Sequence, residues 1–233
     1  MGAYMGYMVL AGILMLIGMV VSGRLKSKFH EYSQIPLDSG LSGKEVAERM
    51  LRENNINDVQ VVSVGGFLSD HYNPQNKTVN LSPDVYAGRS ISAAAVAAHE
   101  CGHAVQHATA YSMLQFRSAL VPVVTITTNL SQWIILAGLG VLGFGIANQT
   151  LLFVGIVLFA FSTLFSLVTL PVEYDASARA LRWMENTGLT SRREHDQAAD
   201  ALKWAARTYL VAAISSIATL VYYILIFTNR SRD

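Results

Sequence analysis

The sequence predicts a mainly α, integral membrane protein, with about four transmembrane helices and a small polar α+β domain between them. Composition is the first observation: 52% of residues are hydrophobic and only 14% charged, too apolar for an ordinary soluble domain. Distribution is the second. The apolar residues gather in runs without a charge, at 1–23, 118–172 and 208–229. Runs of about 20 such residues suit helical membrane spans better than a water-soluble core. The third is the contrast between those runs and the charged stretches 24–117 and 173–207, which carry turn and capping signals.

The elements follow in chain order. Residues 1–23 lack a basic start and a small-residue cleavage site, and the positive charges come after the apolar stretch, so an uncleaved first span is expected. In 24–117, Ser42-Gly43-Lys44-Glu45 has the spacing of a capping box and opens a helix through about Asn54, striped by Val46, Met50 and Leu51. Val59–Val64 and Lys77–Leu81 read as strands, and Asp70–Asn76 between them as turn chemistry. Ser82-Pro83-Asp84 starts a short helix with proline at its first position. A third helix, about 92–110, follows capping serines and opens with an alanine run. The run 118–172 is long enough for a helical hairpin turning near Asn148-Gln149-Thr150. Residues 173–207 form a helical polar segment, and 208–229 the fourth span.

Charge narrows the function. A net charge of +1, with no basic patch among aromatics, gives no hint of nucleic-acid binding, and no nucleic-acid partner is expected. The single cysteine, Cys101, allows no internal disulfide and reads as a small residue packed in a helix. Arg24, Lys26 and Lys28, Arg117, and Lys203 and Arg207 flank the spans on one side, while the Asn148 loop is uncharged. Arg230 and Arg232 oppose this and are outnumbered. The positive-inside rule therefore puts both polar segments on the cytoplasmic side of a multi-pass cell-membrane protein.

Chemistry concentrates in Ala98-His99-Glu100-Cys101-Gly102-His103-Ala104. Two histidines four apart project from one side of a helix and can reach a single metal ion. The glutamate between them is placed to take a proton from an attacking water. Catalytic zinc takes three protein ligands and keeps a fourth position open. Thr109 stands where a third histidine six residues past His103 would be, and His107 is too crowded on the same helix to close on the ion, so it reads as a supporting or packed residue. Glu173 is the better third ligand. It follows the third apolar run, and Ala176, Ser177 and Ala180 leave its face small enough to approach the alanine-rich metal helix. Two spans separate His103 from Glu173, an even number, so both return to one side of the membrane.

These residues, with Leu170-Pro171-Val172-Glu173-Tyr174-Asp175-Ala176-Ser177 and the segment Asp70-His71-Tyr72, resemble the YugP-type bacterial membrane zinc metallopeptidases over essentially the whole chain. The resemblance implies a zincin-like, gluzincin-type endopeptidase with one catalytic zinc ion held by His99, His103 and Glu173, and Glu100 as base. Its partners would be a polypeptide substrate, membrane-associated, and the bilayer itself. A wider likeness is to CAAX-protease-like membrane metallopeptidases with a Glu-x-x-Ala-Asp motif. This chain departs from that at Ser177, where the aspartate that would orient a ligand histidine is missing. A donor for the tetrahedral oxyanion would come from His71, Tyr174, Arg179 or His195. Two other classes compete. A non-hydrolytic zinc scaffold or chaperone has no need of Glu100. A metal transporter would need charged or histidine side chains inside its spans, and these have none.

Overall fold

The computed structural model describes residues 2–66, 69–141 and 147–230. The element order is α1 (Gly2–Ser33), α2 (Gly43–Glu53), β1 (Gln60–Ser63), β2 (His71–Asn73), β3 (Thr78–Leu81), α3 (Pro83–Tyr86), α4 (Ile91–Ala108), α5 (Ser112–Leu139), α6 (Gln149–Asn186) and α7 (Arg192–Arg230). The chain divides into two compact units, one of residues 1–20, 115–170 and 209–233, the other of 21–114 and 171–208.

Among the described residues, four helices are long and apolar enough to cross a membrane: α1, α5, α6 and α7. In the first unit they meet around Ile135, Leu152, Ile156, Tyr223 and Ile226. Gly155 makes one close approach possible, since a Cβ there would stand 2.6 Å from the Ile135 side chain. Elsewhere Ile13, Leu16, Ile126, Trp133, Phe153, Ile214 and Leu225 face outward. So much exposed apolar surface suits lipid and would aggregate in water.

The second unit has a water-soluble kind of core, built from α2, β3, α4 and the polar ends of α6 and α7. Ser42 and Glu45 form the reciprocal capping box expected of them. Ser191 and Glu194 do the same work at α7, where the Glu194 carboxylate accepts from the Ser191 N–H at 2.7 Å. Sequence reading begins the last helix at 208, whereas α7 starts at this cap and runs into the fourth apolar stretch without a break. Pro171 likewise leaves α6 continuous. Tyr32, at the end of α1, donates to Asp200 at 2.7 Å and Trp183 donates to Glu53 at 2.8 Å, tying the helix ends together.

The sheet differs from expectation in one strand. Asp70–Asn76 is not all turn, because His71–Asn73 forms β2, paired antiparallel with β3 as His71 with Asn80, Tyr72 with Val79 and Asn73 with Thr78. The turn is confined to 74–77, where Asn73 Oδ1 accepts from the Gln75 N–H at 2.9 Å and Lys77 takes a positive φ of 51°. β1 pairs parallel with β3, giving the order β1-β3-β2 and leaving β2 as an edge strand.

Candidate metal centre

α4 owes its place to its composition. Ser90 caps it, accepting from the Ala93 N–H, and between Ile91 and Gln106 every residue except His99 is buried. The alanines let α2, β3 and α6 close on it from several sides. Gly102 marks the tightest contact, since a Cβ at that position would lie 2.5 Å from the Ala176 carbonyl oxygen of α6. That approach brings Glu173 to the two histidines. His99 Nε2 stands 3.3 Å and His103 Nε2 3.5 Å from the same Glu173 oxygen, Oε2. The three ligand atoms lie within 4.8 Å of one another. A tetrahedron with ~2.0–2.1 Å metal–ligand bonds has edges of about 3.3–3.4 Å, so both separations fit zinc. Burial disfavours a charge on His103, but Glu173 and Glu100 outweigh it and hold the ring above the ordinary imidazole range. The pocket attracts positive charge.

Glu100 sits beside the three ligands and is not one of them. It is buried, and its Oε2 accepts the Tyr72 backbone N–H of β2 at 3.0 Å. The Tyr72 phenol meets His107 Nδ1 at 2.8 Å. Tyr72 therefore pins the edge strand to α4 twice. This is where His107 is used: it holds β2 and does not face the ligand cluster.

Both histidines of the cluster rest on neutral partners. Ser177 Oγ lies 3.1 Å from His99 Nδ1, so a hydroxyl stands where the wider pattern has a carboxylate. Gln106 Oε1 lies 3.0 Å from His103 Nδ1. Sequence reading passed over Gln106. A large polar residue three positions after a ligand histidine, in an alanine-rich helix, is the signal that could have found it.

The match to known proteins covers nearly the whole chain. Residues 7–228 fit a family described as "Putative neutral zinc metallopeptidase". The chain belongs to this family. It is also 40% identical over 206 residues to the "Putative membrane protease YugP" of Bacillus subtilis (strain 168), covering 88% of this chain and 89% of that one. No solved structure matches. The family's zinc accords with the cluster of His99, His103 and Glu173.

The remaining candidates stand apart. Asp175 Oδ2 takes the Arg179 Nε–H at 2.6 Å, which places Arg179 in an ion pair beside Tyr111. Arg179 is thus engaged with Asp175 through one of its several N–H donors. His71 is exposed and bonds the Ser69 carbonyl at 2.7 Å, and Tyr174 points outward, 46% exposed. His195, in the first turn of α7, is outside the cluster. Cys101 is fully buried, and burial followed by the nearby Glu100 pushes its thiol well up, so it is inert. A cavity of about 650 Å³ lies at the start of α4, lined among others by Ser92, Val96, Asp70, Phe29 and Val85 and by none of the clustered residues.

Proposed function

We propose that this protein is a zinc-dependent membrane endopeptidase, with His99, His103 and Glu173 as ligands and Glu100 as general base. The spacing of three clustered ligand atoms around one tetrahedral position, with a non-ligating carboxylate beside them, carries this reading. A purely structural zinc site would be closed by a fourth protein ligand, and among the described residues the cluster holds three. Bound zinc would supply a polarised water and a Lewis acid for the scissile carbonyl. Glu100 then accepts the water proton and delivers it to the leaving amine, breaking the C–N bond. β2 is an edge strand whose Tyr72 N–H is aimed at Glu100. An extended peptide paired with β2 would lie across that base, with side chains entering the cavity lined by Val96 and Phe29.

Glu173 follows Pro171 by two residues at the end of an apolar run. That chain order supports cleavage of membrane-anchored or membrane-extracted chains, held near the site by tethering. The test uses the zinc-loaded protein in liposomes, with one unfolded segment presented behind a membrane anchor or on a soluble carrier. The wild type should cut, with preference for the anchored form. Glu100→Gln should keep its zinc and lose about 10²–10⁴-fold in rate. Undiminished hydrolysis by Glu100→Gln would reject Glu100 as the base, and equal cutting of both forms would reject the membrane-proximal substrate.

Loop charges support a cytoplasmic site. In a Cys101→Ala background, a cysteine at Gln149 should react with an impermeant thiol reagent in intact cells and one at Ser191 should not. The reverse pattern would put the site outside.

A further inference from the structure

Gln106 is completely buried, and all three of its hydrogen bonds reach groups next to the metal position. Its Nε2 lies 2.8 Å from the Val172 carbonyl oxygen and 2.8 Å from Asp175 Oδ2. Its Oε1 lies 3.0 Å from His103 Nδ1. The amide cannot be turned over. A carbonyl oxygen only accepts, and Asp175 Oδ2 already accepts the Arg179 Nε–H at 2.6 Å, so the nitrogen of Gln106 must face both. The oxygen must then face His103, and His103 Nδ1 must carry the hydrogen that it receives. Nε2, the atom 3.5 Å from Glu173 Oε2, is the nitrogen left to bind a metal.

We infer that Gln106 is a positioning residue that sets two features of the metal centre with one side chain: the tautomer of His103, and the separation of α4 from α6 beside Glu173. Val172 precedes Glu173 directly, so the amide spans from one ligand to the neighbour of another. His99 has no equivalent lock. Its Nδ1 meets the Ser177 hydroxyl, which can donate or accept and so fixes no tautomer. His103 is thus held with Nε2 as its metal-facing nitrogen, whereas the hydroxyl beside His99 leaves its tautomer open. This inference rests on the ligand assignment proposed above.

The experiment measures zinc affinity of the full chain in detergent by competition with a chelator. Gln106→Met keeps the volume and removes all three bonds, and it should weaken zinc binding about 10–100-fold, the usual cost of losing an outer partner of a ligand. It should also alter the visible spectrum of the cobalt-substituted protein, which reports ligand geometry. Met50→Ala, which destabilises the same core away from the site, controls for a general loss of stability and should leave both readouts unchanged. Zinc binding by Gln106→Met within threefold of wild type, or an equal loss in Met50→Ala, would overturn the role of Gln106. Nitrogen NMR of histidine-labelled, zinc-loaded wild type decides the tautomer without any variant at 106: His103 should show a protonated Nδ1, and an unprotonated Nδ1 would overturn the inference. Full zinc retention by His103→Ala would instead sink the ligand assignment itself, which separates the two failures.

Discussion

Gly102→Ala should cost the protein most of its zinc. The added Cβ would stand 2.5 Å from the Ala176 carbonyl oxygen and 3.1 Å from the carbonyl carbon and Cα of that residue. These are backbone atoms inside a helix, so no side-chain rotation relieves the clash. α6 must move away from α4, and overpacking of this kind costs about 1–3 kcal/mol. Ala176 lies less than one turn beyond Glu173, so the shift carries the carboxylate away from both histidines. An opening of about 1 Å, far outside the ±0.2 Å tolerance of zinc–ligand bonds, destroys the site. Purified Gly102→Ala should therefore hold substoichiometric zinc and melt at a lower temperature. Full zinc content would show that the α4–α6 approach does not set the ligand spacing.

Glu173→Ala should have a comparable effect without disturbing the fold as much. The carboxylate is 2% exposed and supplies the only negative charge among the three proposed ligands. Removing it leaves two neutral imidazoles, and the loss of zinc affinity should exceed the ~10–100-fold expected for a supporting residue. Glu173→Gln separates charge from shape: the amide fills the same space and should bind little better than alanine. Zinc per chain, read by metal analysis after dialysis, measures both. Glu173→Ala with undiminished zinc would eliminate it as the third ligand.

The pairing of His99 with His103 was legible because helical geometry is short-ranged: four residues of spacing place them together whatever surrounds them. Glu173 was legible through topology, since an even number of spans lies between it and His103. Gln106 and Ser177 were not. The role of Ser177 depends on the rotation of α6 about its axis, which spacing along one helix does not carry, and that of Gln106, three positions after His103, shows fully only in its bonds to Val172 and Asp175 of α6. Ser177 shows the limit most plainly, for comparison with a carboxylate motif found a missing aspartate, while the structure places a hydroxyl 3.1 Å from the same ring nitrogen. β2 was missed because turn residues surround a strand of three residues, and only pairing with β3 defines it. The spans themselves were clear as charge-free runs. Their helices extend further than the runs, because polar residues can continue a helix that an apolar stretch began.

His103 and Glu173 are seventy positions apart in the chain, so a metal shared between them is also a cross-link. In a soluble chain, closing a loop of that size would remove a large share of the unfolded state's freedom. Here the enclosed segment consists of α5 and most of α6, whose apolar residues hold a helical hairpin in lipid with or without the ion. Little freedom is left for the cross-link to remove. The stabilisation it brings must be local, confined to the seam where α4 meets the polar end of α6. Chelation should accordingly speed amide exchange in Ala97–Gln106 and Val172–Ala180 and leave the apolar helices protected. Exchange that accelerated evenly through the whole chain would mean that the ion holds the entire fold together.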